Sequence, residues 1–253
     1  MIFESHAHYD DDAFDVDRED LLGNMQAQGV GTIINVSASL QGVKTTLDLA
    51  ERYPFVYSAI GIHPDEVGEL DEENFAWLRA QCDQEKVVAV GEIGLDYYWD
   101  KAAHQVQKYW FEKQLELARE KGLPVIIHSR EAAQDTMEMM KEKAVGIPGV
   151  IHCYSYSQEM ALEYVKMGYY IGVGGVVTFK NARKLKETVA AIPLERILLE
   201  TDCPYLAPVP FRGKRNSSLY LTYVAEAIAE IKGVCKEEVI EITEKNAKAL
   251  YRL

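Results

Sequence analysis

The sequence lacks the cysteine pairs and long apolar runs that mark disulfide-rich and membrane proteins. Its four cysteines lie far apart, form no Cys-x-x-Cys pair and are expected to be reduced thiols. No apolar run reaches the roughly 18 residues of a membrane span. The N-terminus also lacks the basic and apolar segments of a signal peptide. The default expectation is therefore a cytoplasmic protein that does not associate with a membrane.

Basic residues are also in deficit, with 27 lysines and arginines against 40 aspartates and glutamates, which gives a net charge of −13. Proteins that coat nucleic acid are usually basic, so this balance argues against broad, non-specific binding to nucleic acid. It still allows an enzyme that contacts a few phosphates locally. Part of the negative charge belongs to carboxylates that bound cations could offset. Nothing in the sequence indicates an obligate protein partner.

The sequence does contain a regular alternation of short apolar runs and longer amphipathic segments. Each apolar run is continuous, which is typical of parallel strands that are covered on both faces. The predicted strands span residues 2–6, 32–36, 56–60, 87–90, 125–128, 150–152, 169–173 and 197–200. The first predicted helix begins near residue 17, and the other seven span residues 40–52, 105–121, 132–143, 158–166, 182–191, 220–231 and 236–250.

Eight strand-then-helix units without a Gly/Ser-rich linker predict an α/β fold in one domain over residues 1–253, the (β/α)₈ TIM barrel. A doubly wound parallel sheet is the alternative architecture. It does not explain why candidate ligands follow the first, fourth, fifth, sixth and eighth strands. In a barrel, the C-terminal ends of all strands converge at one face, where barrel active sites lie.

Histidines and carboxylates recur at these strand ends. His6 and His8 are two residues apart, so in a strand both imidazoles point to the same side. A single histidine in such a place is often only a hydrogen-bonded, partly buried residue, but the recurrence points to a shared site. The candidate ligands are His6, His8, Glu92, His128, His152, Glu200 and Asp202. One divalent ion needs fewer donors, and a centre of two divalent metal ions (Zn²⁺, Mg²⁺ or Mn²⁺) with a bridging carboxylate fits better.

Seven segments together resemble the TatD family of metal-dependent deoxyribonucleases, a branch of the amidohydrolase-like barrel hydrolases, over essentially the whole chain. They are Ser5-His6-Ala7-His8, Gly61-Ile62-His63-Pro64, Gly91-Glu92-Ile93-Gly94-Leu95-Asp96-Tyr97, His128-Ser129-Arg130, His152-Cys153-Tyr154-Ser155, Glu200-Thr201-Asp202-Cys203-Pro204-Tyr205-Leu206 and Arg212-Gly213-Lys214-Arg215-Asn216. The resemblance implies that one metal ion is held by His6, His8, Glu92 and Asp202. It implies that the other is held by His128, His152 and a bridging Glu92.

The activity that this resemblance implies is metal-dependent hydrolysis of phosphodiester bonds in DNA, from an end of the strand, by a metal-activated water. We expect Asp202 to orient the water and accept its proton, while Glu200 is a metal ligand or supports an imidazole. The residues expected to contact the substrate are His63, Asp96, Arg130, Arg212, Lys214 and Arg215. Four aromatic residues near these segments, Tyr97, Tyr98, Trp99 and Tyr154, could stack on bases or pack in the core.

Two other functions remain open. The same activated water could attack a carbonyl, which would make the protein an ester or amide hydrolase such as an aminoacyl-tRNA deacylase. A non-catalytic barrel that binds metal only for structure is the third hypothesis. Structural zinc sites usually have four ligands and no open position, and the larger ligand set predicted for this chain argues against that hypothesis.

Overall fold

The computed structural model describes residues 1–253, which form eight β-strands and nine α-helices. The strands are β1 (Ile2–Ala7), β2 (Val30–Val36), β3 (Val56–Ile60), β4 (Val87–Asp96), β5 (Val125–Arg130), β6 (Gly149–Ile151), β7 (Tyr170–Val173) and β8 (Ile197–Leu199). The helices are α1 (Arg18–Asn24), α2 (Leu40–Arg52), α3 (Glu72–Gln81), α4 (His104–Lys121), α5 (Ala133–Lys143), α6 (Gln158–Lys166), α7 (Arg183–Ala191), α8 (Leu221–Lys232) and α9 (Lys236–Tyr251). Short 3₁₀ helices lie at Asp12–Phe14, Gln26–Gln28, Val67–Glu69, Gly175–Thr178, Leu194–Arg196 and Ser218–Tyr220.

The eight strands form one sheet in the sequential order β1 to β8. A doubly wound sheet reverses its strand order partway across, so the sequential order excludes that alternative. The predicted (β/α)₈ TIM-barrel class is confirmed. None of the nine helices combines the length and apolarity that crossing a membrane requires.

The sequence patterns missed one helix, α3. Its start carries a clear signal, because the side chain of Asp71 accepts a hydrogen bond from the backbone N–H of Asn74 (2.8 Å) and two glutamates occupy the first turn. Only Phe75 and Leu78 are buried, however, and so short an apolar stripe gives little helical periodicity. The predicted count of eight helices therefore omitted α3 and included α9, which follows α8 directly at the end of the chain.

The chain forms two compact units, residues 1–35 with 150–253, and residues 36–149. In the first unit, β1 pairs with β2, β6 with β7, and β7 with β8, all in parallel. Ala7 at the end of β1 also pairs with Cys203, just beyond β8. Helix α9 packs behind β1, where Tyr251 stacks on Phe3 with ring centroids 5.9 Å apart and donates to the carbonyl of Ser5 (3.2 Å).

In the second unit, β3, β4 and β5 pair in parallel, and two buried glutamines of α4 hold the ends of these strands. The Gln114 amide accepts from the N–H of Ile62 (2.8 Å) and donates to its carbonyl (3.1 Å). The Gln107 amide does the same with the backbone of Asp96, at 2.9 Å for both bonds. These side chains satisfy the backbone groups where strand pairing ends, and so position the residues that follow. The predicted single domain over residues 1–253 stays a prediction.

Candidate metal centre

Three histidines and an aspartate of the first unit converge at the C-terminal ends of β1, β6 and β8. The Nε2 atoms of His6 and His8 lie 3.1 Å apart. Oδ1 of Asp202 is 3.4 Å from Nε2 of His8 and 3.7 Å from Nε2 of His6. The rings of His6 and His152 are parallel, with centroids 4.0 Å apart. The ligand atoms of His6, His152 and Asp202 lie within 4.8 Å of one another, close enough to share one cation.

Sharp backbone turns at two strand ends position the side chains of this cluster. Asp202 has φ 56° and Cys153, directly after His152, has φ 45°, both in the left-handed region that residues other than glycine rarely adopt. Each such conformation costs about 1–3 kcal/mol and is found preferentially at functional sites. Hydrogen bonds hold both turns, since Asp202 donates its N–H to the His6 carbonyl (3.0 Å) and Cys153 donates its N–H to Oε1 of Glu200 (2.5 Å).

The buried carboxylate of Glu4 lies beneath the first cluster and was not singled out from the sequence. It accepts hydrogen bonds from the N–H of His6 (3.1 Å) and from both the N–H and the hydroxyl of Thr201 (2.9 and 2.7 Å). The hydroxyl of Ser218 donates to it as well (2.8 Å). Burial raises the pKa of Glu4 to about 7. A charged residue inside an apolar strand, two positions before His6, was the available signal, because charged side chains are rarely fully buried without partners.

Glu200, expected to be a ligand or a support for an imidazole, is fully buried beside His152. Its Oε1 lies 3.9 Å from Nδ1 of His152, while its Oε2 has no hydrogen-bond partner. Burial raises the pKa of Glu200 to about 8. The carboxylate therefore stands next to the predicted ligand, where it can orient the imidazole of His152.

A second cluster lies in the second unit and consists of His63, Glu92 and His128, whose ligand atoms are within 4.8 Å of one another. Nδ1 of His128 is 2.6 Å from Oε1 of Glu92, and Nε2 of His63 is 3.9 Å from the same oxygen. The other ring nitrogen of His128 is 3.0 Å from Oδ2 of Asp96. The sequence patterns assigned His63 to substrate contact, whereas the structure places its ring among possible metal ligands, with its centroid 4.3 Å from that of His128.

Neighbouring charges shift the pKa of one predicted ligand in each cluster, upward for His128 and downward for Asp202. Burial lowers the pKa of His128, but the carboxylates of Glu92 and Asp96 outweigh it and raise that pKa to about 9. Burial raises the pKa of Asp202, but the hydrogen bond with His8 and the charges of the neighbouring imidazoles outweigh it, and the net shift is downward. A proton on His128 therefore occupies a position where a divalent cation would compete with it. Imidazole nitrogens mixed with carboxylate oxygens suit Zn²⁺ and also accept Mn²⁺ or Mg²⁺, so the donor set fits the predicted cofactors.

The three basic residues of the 212–215 loop have different environments. Arg215 is held by Asp17 through two hydrogen bonds (2.7 and 2.5 Å) and also donates to the carbonyl of Ala13 (2.7 Å). The guanidinium of Arg212 lies 4.4 Å from the ring centroid of Phe179, and Lys214 is exposed. Direct contact of Arg215 with a substrate would require competition with Asp17.

The amide of Asn216 ties this basic loop to the residues that surround Asp202. It is buried and donates to the carbonyls of Thr201 (3.0 Å) and Tyr205 (2.7 Å). Arg212 and Lys214 are therefore carried on a loop with a fixed anchor beside the first cluster. Arg130, the remaining predicted phosphate contact, lies at the end of β5 in the second unit with its guanidinium 3.9 Å from the ring centroid of Tyr98.

The fold and the site together place this protein in the class of TIM-barrel proteins with a candidate metal centre, because histidines and carboxylates lie at the ends of its barrel strands. The family model described as TatD related DNase matches residues 3–252. The uncharacterized metal-dependent hydrolase YabD of Bacillus subtilis (strain 168) is 45% identical over 254 residues, and the match covers 100% of both chains. YcfH of Escherichia coli (strain K12), named in the same way, is 36% identical over 257 residues, covering 100% of this chain and 96% of that protein.

The solved structures agree with these sequence relatives. The crystal structure of YJJV, a TatD homolog from Escherichia coli K12, matches with a TM-score of 0.92 at 32% identity, covering 100% of this chain and 98% of that one. The chain therefore belongs to the TatD-related DNase family, a family of metal-dependent hydrolases. The resemblance drawn from the seven sequence segments is confirmed.

Proposed function

We propose that this protein is a divalent-metal-dependent deoxyribonuclease that hydrolyses phosphodiester bonds from an end of a DNA strand. The observation that carries the proposal is the convergence of imidazole and carboxylate ligand atoms, within 4.8 Å, in two clusters of a chain of the TatD-related DNase family. The relatives are named metal-dependent hydrolases, which supports metal-assisted hydrolysis, and the name of the family supports DNA as the substrate.

Each cluster supplies enough donors for one cation. His6, His8, His152 and Asp202 would hold it in the first unit, and His63, Glu92 and His128 would hold it in the second. This grouping differs from the one that the family resemblance implies, because it moves His152 to the first ion and adds His63 to the second. Divalent cations bound there would lower the pKa of a bound water and offset charge on the phosphate oxygens. The bridge that the family resemblance implies for Glu92, the number and identity of the metal ions and the cytoplasmic location stay predictions.

The side chains have separable tasks in this proposal. The ionised Asp202 carboxylate, whose pKa is lowered by the surrounding imidazoles, orients the attacking water and accepts its proton. Glu4 holds the backbone of His6 through a hydrogen bond of 3.1 Å. Asp96 fixes the ring of His128 so that its other nitrogen faces Glu92.

Three of the predicted phosphate contacts are accessible to a DNA backbone, one in the second unit and two in the first. Arg130, Arg212 and Lys214 are exposed, and guanidinium groups match phosphate geometry well. Contact confined to these groups would give a nuclease that engages a short stretch of strand and does not coat its substrate.

The test is cleavage by purified protein that has been stripped with a chelator and then supplied with Mg²⁺, Mn²⁺ or Zn²⁺. Single-stranded DNA labelled at either end should be shortened stepwise only when metal is present. Substituting Asp202→Asn should reduce kcat by at least about 100-fold, because general acid–base catalysis contributes factors of this size. The matched control is Asp48→Asn, the same substitution at an aspartate on α2 whose side chain is 64% exposed, and it should cleave like the wild type.

Two other substrates in the same assay decide between the hypotheses. An aminoacyl-tRNA that is deacylated while the DNA stays intact would replace the nuclease proposal with ester hydrolysis. Binding of metal without turnover of either substrate would leave a non-catalytic metal-binding barrel.

A further inference from the structure

Two large aromatic side chains stand in solvent on the segment that follows β4. Tyr98 is 54% exposed and Trp99 is 57% exposed. Their rings meet edge to face, with centroids 5.0 Å apart and planes at 84°. Exposed aromatic rings in contact with each other leave faces open to a flat ligand, whereas isolated exposed apolar residues need no such explanation.

This aromatic pair is held by the side chain that also orients His128. Oδ1 of Asp96 accepts hydrogen bonds from the N–H groups of Tyr98 and Trp99, both at 2.8 Å. Oδ2 of the same carboxylate is 3.0 Å from Nε2 of His128. One buried carboxylate thus positions both a predicted metal ligand and the two exposed rings, so the rings lie beside the second cluster in a defined orientation.

The guanidinium of Arg130 completes this surface. It lies 3.9 Å from the ring centroid of Tyr98 and 5.5 Å from that of Trp99. Arg130 pairs with Asp96 in the register of β4 and β5, and its guanidinium forms no ion pair with a carboxylate. By contrast, the nearby cations Lys101 and Lys108 are paired with Asp65 and Asp135. The charge of Arg130 is therefore available to an anion that reaches the aromatic pair.

We propose that Tyr98, Trp99 and Arg130 form a nucleotide subsite, in which Trp99 stacks on an unpaired terminal base of single-stranded DNA while Arg130 contacts the adjoining phosphate. The proposal deepens the function proposed above and rests on it for the identity of the strand. Base–aromatic stacking tolerates any base, since every base has a π-face. A guanidinium held over an aromatic ring still presents its edge to phosphate oxygens.

This subsite predicts a preference among nucleic acids. The faces of bases inside a duplex are already stacked on their neighbours, so only an unpaired end offers a free face. We expect a single strand, or a duplex with a single-stranded overhang, to be cleaved with a lower KM than a blunt duplex. An abasic terminal residue keeps the phosphate and loses the stacking partner.

The decisive experiment combines the variant with that substrate. Trp99→Ala should raise KM for single-stranded DNA by about 5- to 150-fold, the change that corresponds to loss of about 1–3 kcal/mol of stacking. Its kcat should change little, because the base is stacked equally in the ground state and in the transition state, so the stacking contributes to binding and not to the chemical step. On a strand with an abasic end, Trp99→Ala and the wild type should have equal KM values. Trp99→Phe should restore most of the preference for the normal end.

Tyr109→Ala is the matched control, since Tyr109 is an aromatic residue that is 46% exposed on α4 and packs edge to face on Trp110. It should leave both KM values unchanged. Equal melting temperatures for Trp99→Ala and the wild type would exclude a loss of fold as the cause of a raised KM.

A binding measurement separates this proposal from the nuclease proposal. In metal-free protein, where cleavage is suppressed, a short oligothymidylate should quench the tryptophan emission of the wild type but not that of Trp99→Phe. Quenching without cleavage under any metal would support the subsite and refute phosphodiester hydrolysis. Cleavage with a KM that is unaffected by Trp99→Ala and by the abasic end would refute the subsite and leave the nuclease standing. Absence of both quenching and base dependence would also overturn the subsite.

Discussion

Substitution of Gly94 by alanine should disrupt the strand pair that carries the second cluster. Gly94 lies in β4 opposite His128 of β5 and has φ 149°, a backbone conformation that residues with a side chain rarely adopt. A Cβ atom at this position would lie 1.9 Å from the carbonyl oxygen of His128 and 2.9 Å from its carbonyl carbon. These are backbone atoms of a buried strand, so no rotation of a flexible side chain can relieve the overlap.

The size of the effect follows from this overlap. Relief requires β4 and β5 to separate locally by about 1 Å, which takes their ladder hydrogen bonds beyond the usual range of about 2.7–3.2 Å. Loss of about two such bonds with their groups left buried costs about 2–4 kcal/mol. The strained φ adds about 1–3 kcal/mol. We expect the free energy of unfolding to fall by about 3–7 kcal/mol, which is a decrease in Tm of about 6–28 °C for a chain of this length.

Thermal unfolding measured by circular dichroism checks this magnitude. The matched control is Gly23→Ala on α1, where a Cβ would meet nothing within 4 Å and φ is not positive. There the same substitution should stabilise the protein by about 0.5–1 kcal/mol, because alanine is the better helix former. Gly94→Ala protein that melts within about 3 °C of the wild type and binds metal normally would refute the close approach of β4 and β5.

Four further predictions concern charge and metal. In metal-free protein, protonated His128 contributes up to about 3 kcal/mol of stability, which is fully present below pH 6.5 and is lost as the pH rises through about 9. The Tm should therefore fall over this pH window. The fall should be absent in the double variant Glu92→Gln/Asp96→Asn, which lacks the two charges that favour the protonated ring. Glu4→Ala removes the acceptor of four hydrogen bonds in the core, and urea unfolding should reveal a loss of about 3–5 kcal/mol together with weaker metal binding by isothermal titration. The coupling free energy between Arg215 and Asp17, measured by a double-mutant cycle, should stay below about 1 kcal/mol because the pair is partly exposed. An increase in KM with Arg215→Ala but not with Asp17→Ala would indicate that Arg215 contacts the substrate directly. Addition of Mn²⁺ to stripped protein at about 100 times its Kd should raise the free energy of unfolding by about 2.7 kcal/mol, and a Tm that does not respond to any of the three metals would contradict a metal centre.

The fold was largely predictable because strand and helix patterns depend on local sequence. The predicted bounds of β3, α2 and α6 match those in the structure, since each element is an uninterrupted pattern with a clear stop. Strand β4 was predicted to end at Val90 but continues to Asp96, and all of its residues are buried. Glycines and carboxylates such as Gly91 and Glu92 resemble a turn when only neighbours along the chain are considered. The contacts that keep them in a strand come from β5 and α4, which a local pattern cannot represent.

The composition of the site was predictable in part for a related reason. Strand ends indicated which residues lie near one another, and the i, i+2 spacing of His6 and His8 indicated that their rings point the same way. Partners distant in sequence were not predictable. Asp17 binds Arg215 although the two residues are 198 positions apart, and no local feature of the basic loop predicts that pairing. His63 illustrates the same limit, because its place beside Glu92 and His128 depends on how three strands align.

Buried polar side chains, as well as strand pairing, determine where the candidate ligands stand. Glu4 binds the backbone of His6 and Thr201, Asn216 binds the carbonyl of Thr201, and Gln107 binds the backbone of Asp96. Each of these groups is fully buried, and each satisfies backbone atoms at a strand end, where the ladder no longer does. An unsatisfied buried polar group costs about 1–3 kcal/mol. Displacing a segment that carries a ligand would break several of these hydrogen bonds at once and would leave several buried groups unsatisfied. The same hydrogen bonds that stabilise the strand ends therefore keep the ligands preorganised, so substitutions at these polar residues should lower stability and metal affinity together.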